Sequence, residues 1–245
     1  PYIKERLKEW WSWVGADVRG CFKQMGVLSA NLTDAEDFYD HSSTTTGSPG
    51  PVNMFRRAFL FPLLYETYDY FFYMEPDTHV FQKGWTEVLL RQCFHIPEPF
   101  WIKGSHFRPK LSRDWLSLYG EHAVWHHING NALYRLNDWH FLEFICWCLA
   151  TYENCSFDMS IHRYLLDVDN HVDTRELLPN YVHSDFIQNS GEVLEPWFAR
   201  GYLEKPPVGR ISNDDPDWDV KISWNNSESR KIINQYSPLT YFVHT

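Results

Sequence analysis

Along the first residues, charged positions are interleaved with Ile3, Leu7, Trp10, Trp11 and Val14 at nearly helical spacing, which predicts an amphipathic helix over residues 2–14. Asp17 to Phe22 is a poor strand candidate, whereas Gly26-Val27-Leu28-Ser29-Ala30 is short and apolar and runs into Asn31, Asp34, Glu36 and Asp37, as a buried strand leaving a sheet does. His41 to Val52 is rich in Ser, Thr, Gly and Pro and predicts a loop; Asn53 then caps a helical pattern through Phe55, Phe59, Leu63 and Leu64 that Pro62 kinks or divides. The uninterrupted run from Tyr68 to Met74 predicts a strand covered on both faces, ending at Glu75-Pro76-Asp77. Further on, Gly84 to His95 predicts a helix, Phe100 to Gly104 a short strand, and Asp138 to Tyr152 an apolar helix capped by Asp138. Strands alternating with helices predict an α/β fold with a mostly parallel central sheet flanked by helices on both faces. After Glu195 the pattern dissolves into Pro-rich and acidic sequence, which divides the chain into residues 1–195 and an irregular extension, 196–245, packed on the same domain.

Composition narrows the partners. A chain of 245 residues, 44% apolar and 22% charged, can bury the core of one large domain, and its net charge of −10 offers no basic face to a nucleic acid. No apolar run is long enough to span a bilayer. The chain opens at Pro1 in what reads as a helix already under way and not as a signal peptide, so a segment or membrane anchor upstream of Pro1 is left open. Five cysteines lack the paired spacing of a zinc site, and sequons at Asn31, Asn154 and Asn225 suit a secretory lumen such as the Golgi. Aromatic residues make up 18% of the chain, enough to fill a core and also to stack on sugar faces.

Ligands of open α/β sheets collect beyond the carboxyl ends of strands, and Glu75 and Asp77 stand at such an end. Two carboxylates one residue apart can place oxygen ligands on one Mn²⁺ or Mg²⁺ that bridges a diphosphate; otherwise they are the solvated start of a loop. Asn129 and Asn131 flank Gly130, an arrangement that serves either hydroxyl recognition or a plain Asn-Gly turn. Asp158 opens a helix and is placed to cap it. Lys103 and Arg108 are placed to meet phosphate or acceptor charge, or to be ordinary surface cations, while His126, His127 and His162 read as structural. The loop over His41 to Val52 follows a strand end and is placed either to act as a lid excluding water or to be an idle surface loop.

The run Tyr68 to Asp77 resembles the metal-binding strand of GT-A fold glycosyltransferases, in which a D-x-D or E-P-D element holds the metal and the donor diphosphate. The E-P-D form is similar to that of the fungal α-1,2-mannosyltransferases. Together with His127 to Arg135, Phe157 to Ser160 and Tyr181 to Asn189 it resembles GT-A-like proteins of algae and protists, over about residues 26–189. The resemblance implies a metal-dependent transfer of a sugar from a nucleoside-diphosphate-sugar donor to a hydroxyl of a glycan or glycoprotein. It implies Glu75, Asp77 and His183 as metal ligands, Asp158 as the base that deprotonates the acceptor, and Asn129, Gly130, Asn131, Lys103 and Asp185 as donor- or acceptor-binding residues. The N-terminal strand and loop that grip the nucleotide base in GT-A domains have no clear counterpart here. A noncatalytic GT-A-like subunit that binds glycans or joins an assembly, and a metal-dependent hydrolase using the same carboxylates, are the competing readings.

Overall fold

The computed structural model describes residues 2–23, 25–38, 49–76, 78–96, 99–106, 127–152, 155–166, 177–189 and 238–244. Asp77, Arg108, His126, residues 41–48 of the loop and the boundary at residue 195 lie outside the described residues. In chain order the elements are α1 (Tyr2–Trp13), α2 (Ala16–Arg19), α3 (Pro49–Phe59), α4 (Pro62–Tyr65), β1 (Tyr70–Phe72), β2 (Thr78–Val80) and α5 (Trp85–Phe94). There follow β3 (Ile102–His106), β4 (Ile128–Arg135), α6 (Trp139–Thr151), α7 (Phe157–Leu166), a 3-10 turn (Leu178–Asn180), β5 (Tyr181–His183), β6 (Ile187–Asn189) and β7 (Phe242–His244). Among the described residues no helix is long and apolar enough to cross a membrane.

The fold is mixed α/β, with a four-stranded sheet in the order β1-β4-β3-β5 flanked by helices. The expected mostly parallel sheet is corrected: β4 pairs antiparallel with both β1 and β3, and only β3 and β5 pair parallel. The reason is β4. Its Asn129-Gly130-Asn131 carries the signature of a turn, yet the segment is a central strand whose residues are mostly buried. Inserted in reverse between β1 and β3, it leaves β1, β3 and β5 pointing the same way without making β1 and β3 neighbours.

The aromatic run of β1 alternates between two cores. Phe71 and Tyr73 join α3, α6 and α7 on one face, and Tyr70 and Phe72 join α5, Phe186 and Phe242 on the other. On the first face Phe55 stacks on Phe157 with centroids 3.9 Å apart and meets Tyr73 and Tyr134 edge-on. Each such ring fully removed from water contributes about 1.5–3 kcal/mol through its apolar area. The second face is completed by a three-stranded sheet, β2-β7-β6, so the described piece after residue 189 is a strand with Phe242 fully buried.

Three local expectations also change. Residues 26–30 form no strand, and Val27 and Leu28 are exposed. Helix α3 begins at Pro49 and not at Asn53, because prolines fit a first turn whose N–H groups have no partner in the helix; Asn53 instead donates from Nδ2 to the Glu36 carbonyl at 3.1 Å. Pro62 divides the helical stretch, opening α4 after α3 ends at Phe59. The cap on α6 is as read, with Asp138 accepting from the N–H groups of His140 and Phe141.

Candidate functional site

Because β1, β3 and β5 point the same way, their carboxyl ends and the start of β4 share one edge of the sheet. Glu75 lies just past β1, His106 ends β3, His183 ends β5, and Asn129, Gly130 and Asn131 open β4. The topology therefore gathers three of the segments singled out from sequence, those of Glu75, Asn129 to Asn131 and His183, with His106 as an addition.

At the β1 end, Asn131 is buried and holds Glu75 in both directions. The Glu75 N–H donates to Asn131 Oδ1 at 2.7 Å, and Asn131 Nδ2 donates to Glu75 Oε2 at 2.6 Å. The Thr78 hydroxyl donates to the same Oδ1 at 2.7 Å, and Asn129 Oδ1 accepts from the N–H and Nδ2 of Asn131. These amides fix the loop between β1 and β2, and with it the carboxylate. Asn131 reaches the site as the support of Glu75, with both ends of its amide engaged inside the protein.

One residue earlier, Gly130 packs against the start of α7. A Cβ there would lie 2.4 Å from Phe157 Cζ, so no larger residue fits without displacing the ring. The Gly130 N–H donates to Asp158 Oδ2 at 3.1 Å, while Ser156 Oγ at 2.6 Å and the Met159 N–H at 2.8 Å donate to Oδ1. His127 Nε2 lies 3.5 Å from Oδ2. Burial pushes the Asp158 carboxyl upward, but the hydrogen bond and charge of His127, with the Ser156 and Met159 donors, outweigh it and hold the pKa at about 2. Asp158 is the second residue of α7 and not its N-cap, although its Oδ1 accepts the Met159 N–H in the first turn. As a proton acceptor the group is weak. Burial, with the Glu75 and Asp158 charges behind it, raises the Tyr73 phenol, which stays protonated.

At the β5 end, His183 Nδ1 accepts the His106 N–H at 3.3 Å, which puts the ring proton on Nε2, 3.1 Å from Asp185 Oδ1. The His106 and His183 rings stack with centroids 4.7 Å apart. His183 and Glu75 share the sheet edge but belong to its opposite outer strands, about 14 Å apart at three strand spacings. Each is turned to its own partners. Among the described residues no three His, Cys, Asp or Glu side chains are grouped to hold a metal ion. A carboxylate pair of Glu75 with Asp77 fits a hard divalent cation by ligand type, and His183 would have to leave Asp185 to join them.

Lys103 is buried, its Nζ donating to the Gln92 carbonyl at 3.1 Å and lying 4.2 Å from the centre of the Phe100 ring, so it faces the second core and not the sheet edge. Sequence reading missed His127 as the partner of Asp158, and missed Thr78 and Ser156, because each acts through a contact that only the folded chain creates. No family model, curated protein or solved structure matches the chain.

Proposed function

We propose that the protein is a metal-dependent glycosyltransferase that binds a nucleoside-diphosphate sugar at the common edge of β1, β3 and β5. The observation that carries the reading is the fixed carboxylate of Glu75 at the end of an aromatic strand, with Asp77 following in sequence. A divalent ion, Mn²⁺ or Mg²⁺, would be held by Glu75 and Asp77 and would supply neutralising charge to the leaving diphosphate. Glu75 reaches it already oriented by Asn131, which limits the reorganisation needed on binding. His183 and Asp185, at the far end of the same edge, are assigned to the sugar or acceptor hydroxyls, for which an imidazole and an exposed carboxylate are suited partners. Asp158 serves this site as the anion that orients His127, since a carboxyl with a pKa of about 2 withdraws few protons.

That same low proton affinity is the observation favouring a noncatalytic GT-A-like domain that binds glycans or joins an assembly. Thermal shift with UDP- and GDP-sugars, with and without Mn²⁺, separates the two. A rise in Tm that needs both nucleotide sugar and Mn²⁺, and is lost in Glu75→Gln, supports the transferase. A shift with free glycans alone supports the binding domain, and sugar released to water at the same rate with and without acceptor supports a hydrolase.

A further inference from the structure

Helix α1 divides its apolar residues between two faces. At about 100° per residue, Leu7 and Trp11, continued by Val14, fall on one stripe, and all three are half-buried. Trp11 meets Phe22 edge-on at 5.7 Å, and Phe22 lies 6.4 Å from Trp85 of α5, so this stripe seats the helix on the body of the protein. Ile3, Trp10 and Trp13 form a second stripe at helical spacing, with Tyr2 beside it. These four are exposed, Tyr2 at 73% and Trp13 at 69%, and none of them belongs to either core.

The outer stripe carries a cation at its centre. Arg6 lies between Ile3 and Trp10 along the helix, its guanidinium 5.9 Å from the ring centres of both Tyr2 and Trp10, and it pairs with Glu9 at 2.8 Å. Lys4 and Lys8 are exposed on the same helix, Lys8 paired with Glu5. Residues 1–25 hold five Lys or Arg against three Asp or Glu, a net charge of +2 in a chain whose total is −10. Exposed rings, a cation among them, and positive charge confined to one end of an acidic chain thus coincide on α1.

We propose that α1 docks the protein on a bilayer with anionic headgroups, lying flat in the interface with Tyr2, Ile3, Trp10 and Trp13 turned into it. A helix of 12 residues is about 18 Å long and too short to span, but a helix of this pattern buries one face at the boundary of headgroups and acyl chains. Trp and Tyr favour that boundary, where the ring leaves water while its N–H or O–H stays wet. Arg6 reaches the lipid phosphates from between the rings. Charge sets the orientation, since the surface attracts residues 1–25 and repels the acidic remainder. None of these residues belongs to the candidate site, so docking does not depend on the ligand Glu75 receives.

Co-sedimentation of the full chain with vesicles tests it, using phosphatidylcholine alone and phosphatidylcholine mixed with phosphatidylserine. The expected result is binding to the mixed vesicles about tenfold tighter or more, weakened by salt. The double variant Trp10→Ser, Trp13→Ser is expected to lose about tenfold or more, and Arg6→Glu, which keeps the rings and reverses the charge, to lose a similar factor. Trp139→Ser removes an equally exposed ring from α6 and is expected to change nothing. No binding of the wild type to mixed vesicles overturns the proposal, as does equal binding to both vesicle types. So does binding that survives the double variant or falls equally in Trp139→Ser. A wild type that is dimeric by sedimentation velocity and becomes monomeric in the double variant also overturns it, because the face then belongs to a second copy. Should the double variant fail to fold, shown by a lowered Tm, Arg6→Glu gives the same comparison.

Discussion

Asn131 in β4 and Glu75 just past the end of β1, 56 positions apart in sequence, exchange two hydrogen bonds across the end of the sheet. The buried amide bonds both the backbone and the carboxylate of Glu75 and so orients the carboxylate. Replacing Asn131 with Leu would strand the Glu75 N–H, the Thr78 hydroxyl and a partly buried carboxylate oxygen. The expected loss is about 2–4 kcal/mol of unfolding free energy, read from urea denaturation. A loss below half a kcal/mol would mean that water replaces the amide without cost.

Asp158 sets a pH window. Its carboxyl has a folded pKa of about 2 against an ordinary 3.8, so its stabilising contribution is complete above pH 4 and disappears as pH falls through 2. The folded state binds fewer protons there than the unfolded one, so stability rises with pH across that interval. Asp158→Asn is expected to lower stability at pH 7 by about 2 kcal/mol and to flatten the acid limb between pH 4 and pH 2. Equal slopes in variant and wild type would disconnect His127 and Asp158.

Gly130 and Phe157 make a reciprocal pair. Gly130→Ala pushes a methyl group into the ring and is expected to cost about 1–3 kcal/mol. Phe157→Leu opens space at its own cost, and the double variant should recover part of the first loss. A purely additive cycle would show that the two residues do not compete for the same volume.

His183 ends one outer strand of the sheet, and Glu75 follows the end of the opposite outer strand. His183→Ala is therefore expected to leave the Mn²⁺ requirement for nucleotide-sugar binding intact, while Glu75→Gln removes it. Calorimetric titration of the donor with and without Mn²⁺ reads both. Loss of the metal requirement in His183→Ala would mean that the imidazole turns from Asp185 to the ion when donor binds.

Helices were legible wherever a cap or a sustained apolar pattern marked them, as at Asp138 and over Gly84 to His95. Strand β1 was legible because a run apolar on both faces has few other uses. Strand β4 was not: the turn signal of Asn-Gly is local, whereas the need for a glycine at position 130 comes from Phe157, a contact that only the folded chain creates. The same limit governed the site. Glu75 could be found by its place at a strand end, but Asn131 and His127 act through partners 56 and 31 positions away. Lys103 reads from sequence as a cation for phosphate or acceptor charge or as an ordinary surface cation, and only the structure turns it inward to Gln92 and Phe100.

Both sheets share an order of construction that bears on synthesis at the ribosome. In each, the strand in the middle is made after the strands it separates: β4 follows β1 and β3, and β7 follows β2 and β6. As the nascent chain emerges, β1 and β3 wait for β4, and β2 and β6 wait for a segment ending at His244. Residues 238–244 thus act as a keystone. A chain released before residues 238–244 are made leaves β2 and β6 without the strand that joins them and uncovers Phe72, Trp85 and Phe186, a direct route to aggregation.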